Sequence, residues 1–191
     1  MPVSGRLQVL GLRWMAKAAL MAGRPGAALT RFEQLLAACP GDRHALASRA
    51  HLLEQSGERA QAIAALRELT ATHPDDAAGW FNLGYLLEAS GLLGPAGAAF
   101  SRACELAPEL DRAWFGLAQV RIREGRLEEA TAALETNTRL QPLSPHGWYH
   151  LARVHAQRQA NDEVVRIIRH LHGFEPRVAA QLEQETGLRA R

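Results

Sequence analysis

Large apolar side chains stand four residues ahead of small ones at regular intervals along this chain. Leu12, Leu46, Trp80, Trp114 and Trp148 precede Ala16, Ala50, Gly84, Ala118 and Ala152, and each pair lies 34 residues after the one before it. Spaced by four on a helix, the two residues share a face, and the small one leaves a notch that a neighbouring helix can enter. A second set runs in the opposite order: Ala28, Ala62, Ala96, Ala130 and Val164 are followed four positions later by Phe32, Leu66, Phe100, Leu134 and Ile168. Each period therefore predicts two amphipathic helices, each burying one face.

Proline and glycine punctuate the chain at the same step. Pro40, Pro74, Pro108, Pro142 and Pro176 mark the ends of the second helices, because proline cannot continue a helix but tolerates a junction. Gly23, Gly57, Gly91 and Gly125 close the first helices, where a left-handed cap suits glycine, and Gln159 takes the fifth slot. Self-similarity at a fixed period of this length signals a stacked repeat. The units fall at 9–42, 43–76, 77–110, 111–144 and 145–178. Residues 1–8 are an N-terminal extension, and the first helix is expected over about Leu7 to Met21. After Pro176, Val178, Ala179 and Leu182 can face the last unit while Gln181, Glu183 and Glu185 stay in water. This predicts a C-terminal capping helix and tail over 179–191.

The third unit carries the fullest set of marker residues: Trp80, Leu83, Gly84, Ala96, Phe100 and Pro108. In these the sequence resembles the tetratricopeptide repeat family, over most of the chain and five times in unbroken register. It departs from the family pattern at Leu12 and Leu46 in place of Trp, at Gln159 in place of Gly and at Val164 in place of Ala. The resemblance implies an all-α fold, a right-handed α-solenoid of five tandem 34-residue helix-turn-helix repeats with a C-terminal capping helix. In such a fold the first helices line a concave groove, and Trp80, Leu83 and Gly84 are expected in the core.

By the same resemblance, positions two, five, six, nine, twelve and thirteen of each first helix face the groove, and most of these follow one stripe of a 3.6-residue helix. The third repeat then contributes Phe81, Asn82 and Tyr85. The others contribute Arg13, Trp14, Lys17 and Met21; His44, Ser48, His51 and Glu54; Arg112, Phe115, Gln119 and Arg123; and His146, Tyr149, His150 and Arg153. Phe81, Phe115 and Tyr149 share position five and predict a ladder of rings, unless those rings pack against neighbouring first helices instead. Arg13, Lys17, Arg112, Arg123 and Arg153 face Glu54 and Glu88, a net +3 in the stripe that leaves −1 for the rest of the chain. Such a field steers acidic segments.

The expected function is a non-catalytic adaptor that holds a peptide or partner helix with apolar anchors and carboxylates. Its centre is expected at Phe81, Asn82, Tyr85, Arg112, Phe115, Tyr149 and Arg153, extended by Arg13, Trp14 and Lys17 and completed by Gln119, Arg123 and His150. Asn82 and Arg112 match two places of the family's carboxylate clamp, but Ala47, His51 and Gly116 replace others and leave it incomplete. Leu10, Trp14, Leu20 and Met21 make the first helix apolar on the groove side, which points to an alternative role as a self-assembling or complex-embedded subunit. The competing reading is that the N-terminal residues fold back over that face.

Composition narrows the remaining classes. The 191 residues are 47% hydrophobic and 22% charged, which suits one soluble domain with an ample core. A net charge of +2 does not announce a nucleic-acid or membrane binder. Arg beside aromatics keeps single-stranded nucleic acid as a further alternative, but Glu54 and Glu88 within the stripe oppose it. No GxSxG, phosphate loop or HExxH occurs, so no catalytic residues and no cofactor are expected. Cys39 and Cys104 have no CxxC spacing, and His146 and His150, four apart, have no acid or cysteine nearby in sequence to complete a metal site. The groove histidines are instead expected to strengthen acidic-ligand binding below about pH 6.5. No apolar run reaches about 18 residues, and Arg13 and Lys17 interrupt the first of them, so neither a transmembrane segment nor a signal peptide is expected. With only two cysteines and no disulfide framework, a reducing cytoplasm is the expected location.

Overall fold

The alternation of large and small positions yields eleven helices in the computed structural model, which describes residues 3–190 and their side chains from residue 7 onward. They are α1 (Val3–Met21), α2 (Pro25–Ala38), α3 (Arg43–Gln55), α4 (Arg59–Thr72), α5 (Ala77–Ala89), α6 (Leu93–Leu106), α7 (Asp111–Arg123), α8 (Leu127–Leu140), α9 (Pro145–Gln157), α10 (Asn161–His172) and α11 (Pro176–Thr186). No regular element other than helix occurs among the described residues. None of the described helices is long and apolar enough to cross a membrane.

Two units make up the chain, one ending at Ser90 and the other beginning at Gly91. In the first, α1 to α5 each pack on the next in sequence. In the second, α6 to α10 do the same, and α11 lies against both α9 and α10. The notch residues are buried in both: Ala16, Ala28 and Ala50 in the first unit, Ala118, Ala130 and Ala152 in the second. Their large partners Phe32, Leu66, Leu134 and Ile168 are buried as well. Close approach of helix to helix at alanine is thus what holds each unit together.

The turn glycines adopt the left-handed conformation, with φ of 66° at Gly23, 83° at Gly57, 77° at Gly91 and 75° at Gly125. Gln159 holds the same conformation at φ 61° and is the one non-glycine residue with positive φ among those described. The turn is imposed by its neighbours: Ala160 N–H reaches back to the His155 carbonyl at 2.9 Å, as Arg126 N–H reaches Arg121 at 2.8 Å. A side chain there costs about 1–2 kcal/mol, less the greater entropy that glycine loses on folding. Gln159→Gly should therefore raise stability by about 1 kcal/mol, read as a higher urea midpoint. An unchanged midpoint would mean that Gln159 is not strained.

Three expectations need correction. Trp80 is half-buried rather than in the core. Its indole Nε1 donates to the Pro74 carbonyl at 3.1 Å, and Trp114 and Trp148 repeat the bond to Pro108 at 2.8 Å and Pro142 at 2.9 Å. A tryptophan six residues after each proline thus ties down the preceding turn, since indole N–H needs an acceptor near the surface. The first helix starts at Val3, not near Leu7, since no proline falls between residues 3 and 21 to break it. Residues 1–2 of the N-terminal extension and Arg191 of the tail lie outside the described residues. The capping helix begins at Pro176, not after 178, because proline suits the first helical turn. It ends at Thr186 and is capped by Gly187, with φ 72°.

Candidate functional site

On α1, position after position of the predicted stripe is open. Trp14 is 69% exposed, and Lys17 Nζ lies 5.7 Å from its ring. Leu10, Trp14, Lys17 and Leu20 form one side of a 440 Å³ cleft, whose remaining lining is Arg13, Phe32 and His44. Phe32 and His44 meet edge-on at 5.8 Å. No carboxylate lines this cleft. Arg13 is not free to meet a partner's acid, since its guanidinium pairs with Asp42. Asp42 is the N-cap of α3 and accepts the Ala45 N–H at 2.9 Å. Burial pushes the Asp42 carboxyl up, but the bonds from Arg13 and Ala45 outweigh it and leave the group below its ordinary value. The charge counted for Arg13 is therefore spent on holding the start of α3. Lys17 remains as the cation of the cleft.

Asn82 and Tyr85 are exposed on α5 and, with His51, Glu54 and Leu86, line a cleft of only 70 Å³. That is room for a few waters, not for a side chain. Phe81 is half-buried on the same helix.

In the second unit the predicted residues separate into two groups. Phe115, half-buried on α7, packs against α9, with ring centroids 4.8 Å from His146 and 5.3 Å from His150. Contact with the neighbouring first helix is thus a large part of what this ring does. Burial, then the nearby His146 and Arg153, push His150 down to about 4. This overturns the expected gain in acidic-ligand binding just below pH 6.5 at His150, which stays neutral until the pH approaches 4. Among the described residues no group of three metal-binding side chains comes together. Arg112 and Arg123 are exposed on α7, and Gln119 is half-buried with its Nε2 buried and without a hydrogen-bond partner.

Tyr149 and Arg153 are engaged by the capping helix. The Tyr149 hydroxyl donates to the Glu185 carboxylate, 2.9 and 3.0 Å from its two oxygens, and Gln181 Nε2 donates to the same hydroxyl at 3.2 Å. The Arg153 guanidinium lies over the Tyr149 ring at 5.6 Å. Gln181, Tyr149 and Arg153 together hold the Glu185 carboxyl below its ordinary range. Glu185 is exposed, as expected, and α11 also brings it to the face where an outside carboxylate was expected. Nothing in the local sequence signals this contact, because 36 residues separate the two partners. A 280 Å³ cleft lined by Pro145, His146, Tyr149, Val178 and Gln181 remains beside it.

Comparison with known proteins agrees with this geometry. The sequence profile of the tetratricopeptide repeat matches residues 47–111 and 115–163, more than half of the chain. The chain belongs to the tetratricopeptide repeat family. Solved structures place its fold there too. A crystal structure of MamA superposes with a TM-score of 0.79 at 17% identity, covering 94% of each chain. YrrB, described as a tetratricopeptide repeat protein with an unusual peptide-binding site, gives 0.77 at 16% identity over 88% of each chain. A tetratricopeptide repeat protein from Parabacteroides merdae gives 0.79 at 16% identity, covering 95% of this chain and 74% of that one. At these identities the likeness establishes the fold. A search of the curated proteins found no significant match.

Proposed function

We propose that this chain is a non-catalytic interaction scaffold that seats a partner segment with apolar and acidic side chains, anchored in the α1 cleft. The observation that carries the reading is the exposed Trp14, flanked by Leu10, Leu20 and Lys17 over a 440 Å³ cleft without a carboxylate. Exposed tryptophan beside a cation is the composition of a binding hot spot, where an apolar anchor is desolvated and a carboxylate is attracted. The peptide-binding site described for YrrB belongs to that protein, but it supports a binding role for this fold.

The test is capture from host lysate with wild-type protein beside two double variants, Trp14→Ala/Lys17→Glu and Arg112→Glu/Arg153→Glu. We expect a partner that is lost with the α1 variant, at least about tenfold, and retained with the other. Loss only with the Arg112 and Arg153 changes would move the site to α7 and α9. Equal recovery by all three would remove the α1 cleft from the reading.

A second reading, self-assembly, is favoured by the other side of α1. Met15 is 46% exposed there, at a place where the period later puts the buried Leu83 and Leu151. Among the described residues α2 is the main helix packed on α1. Light scattering of Met15→Glu distinguishes the two readings, because a dimer formed through that side would lose mass while the lining of the Trp14 cleft is unchanged.

A further inference from the structure

Positive charge is concentrated in one part of this chain. Residues 1–41 hold five cations and one acid, Glu33, a net +4, whereas residues 42–191 hold 17 cations and 19 acids, a net −2. The overall +2 conceals this division. α1 has Arg6, Arg13 and Lys17 and no carboxylate. Arg13 is taken up by Asp42, but Arg31 on α2 bonds the neutral Gln34, and Lys17 and Arg24 are exposed. Such a one-sided division points to an anionic partner.

The same helix bears a bare apolar face. Leu7, Trp14 and Met21 stand seven apart, so they form one line along α1, and they are 65%, 69% and 82% exposed. Ala18, four residues after Trp14, is exposed as well. At 3.6 residues per turn, the arc of about 140° from Leu10 round through Leu7 to Met15 carries no charged residue. The face is open at its centre. A Cβ built on Gly11 would meet nothing within 4 Å, whereas one on Gly79, at the same place in the period, lies 3.0 Å from the Leu69 side chain of α4.

Charge and shape together select the occupant. A protein partner binds chiefly through anchors set in pockets, and none of the clefts described above has Leu7, Ala18 or Met21 in its lining. A second copy paired through this face would set like charge against like. A flat anionic surface meets both conditions: it takes apolar side chains without a pocket, and its phosphates attract cations spread along α1, the turn at Arg24 and α2 within a Debye length of about 8 Å. We propose that the outer face of α1 docks on an anionic lipid bilayer, with Leu7, Ala18 and Met21 entering between the headgroups and the positive α1–α2 hairpin held by their phosphates. Trp14 and Lys17 stand at the border between this face and the α1 cleft.

Sedimentation of the full chain with vesicles tests this directly. Binding to vesicles of equimolar phosphatidylglycerol and phosphatidylcholine should exceed binding to phosphatidylcholine alone by about tenfold or more, and should weaken as salt is raised. Leu7→Glu/Ala18→Glu should lower binding to the charged vesicles by about tenfold or more. Both residues are exposed and neither lines the α1 cleft, so capture of a partner through that cleft should be unchanged. Arg24→Gln/Arg31→Gln, which leaves the apolar face intact, should reduce the preference for charged lipid, and it keeps the test available if the first variant fails to fold. Equal binding to the two vesicles, no binding to either, or binding that survives the Leu7 and Ala18 changes would overturn the proposal. So would a loss of mass in light scattering, or of a captured partner, on those same changes, which would assign the face to a second copy or to another protein.

Discussion

Replacing Leu182 with alanine should cost about 3 kcal/mol and loosen the C-terminal helix from its unit. Leu182 is fully buried, and with Ala179 it forms the apolar side of α11 against α9 and α10. Large-to-small changes at such sites lose both the transfer of the removed carbons and the contacts around the cavity, typically 2–5 kcal/mol. Urea denaturation measures the loss, and hydrogen exchange locates it, with α11 and α10 losing protection first. Glu185→Gln supplies the contrast. Its partners Tyr149 and Gln181 are at the surface, where single contacts contribute within about 1 kcal/mol, so the midpoint should hardly move. If Leu182→Ala left stability unchanged, α11 would not be part of the packed unit. The same variant bears on function, because a detached α11 withdraws Glu185 and uncovers Tyr149 and Arg153 for an outside carboxylate.

Gly116→Ala should destabilise the second unit by about 2 kcal/mol, a large effect for one methyl group. A Cβ built on Gly116 lies 2.6 Å from two carbons of the Phe100 ring, closer than real carbon atoms approach. Phe100 is itself fully buried, so its ring has no open space to retreat into. The clash is specific to this pair. Phe100→Leu should relieve it, since Leu66 and Leu134 occupy the same place in the period and are buried. The double variant should therefore recover part of the loss, and the non-additivity measures the contact. A wild-type midpoint for the single variant would mean that the ring shifts without penalty. This glycine is also one of the positions where the carboxylate clamp is incomplete; packing against Phe100 explains why no side chain stands there.

Much of this was readable in advance, and the reasons are local. Helices begin and end where proline, glycine and the apolar period say, because those signals act on the backbone within a few residues. The notch alanines are buried as expected, since a 34-residue period presents the same face to each neighbour. Even Gln159 could be placed, because a turn shared with four glycines leaves no other conformation. Exposure of Trp14, Lys17 and Tyr85 followed from the helical stripe.

What periodicity could not reveal depends on side chains distant in sequence. The pairing of Arg13 with Asp42 removes a charge from the predicted surface, and the meeting of Tyr149 with Glu185 fills a place reserved for a ligand. Packing around His150 lowers its titration to about 4. Each is a matter of a few ångströms between groups on different helices. Backbone propensity and hydrophobic spacing act along the chain and so determine the helices and their buried faces. Charge pairing, desolvation and cavity shape act through space, and they decide which of the exposed residues are left to bind.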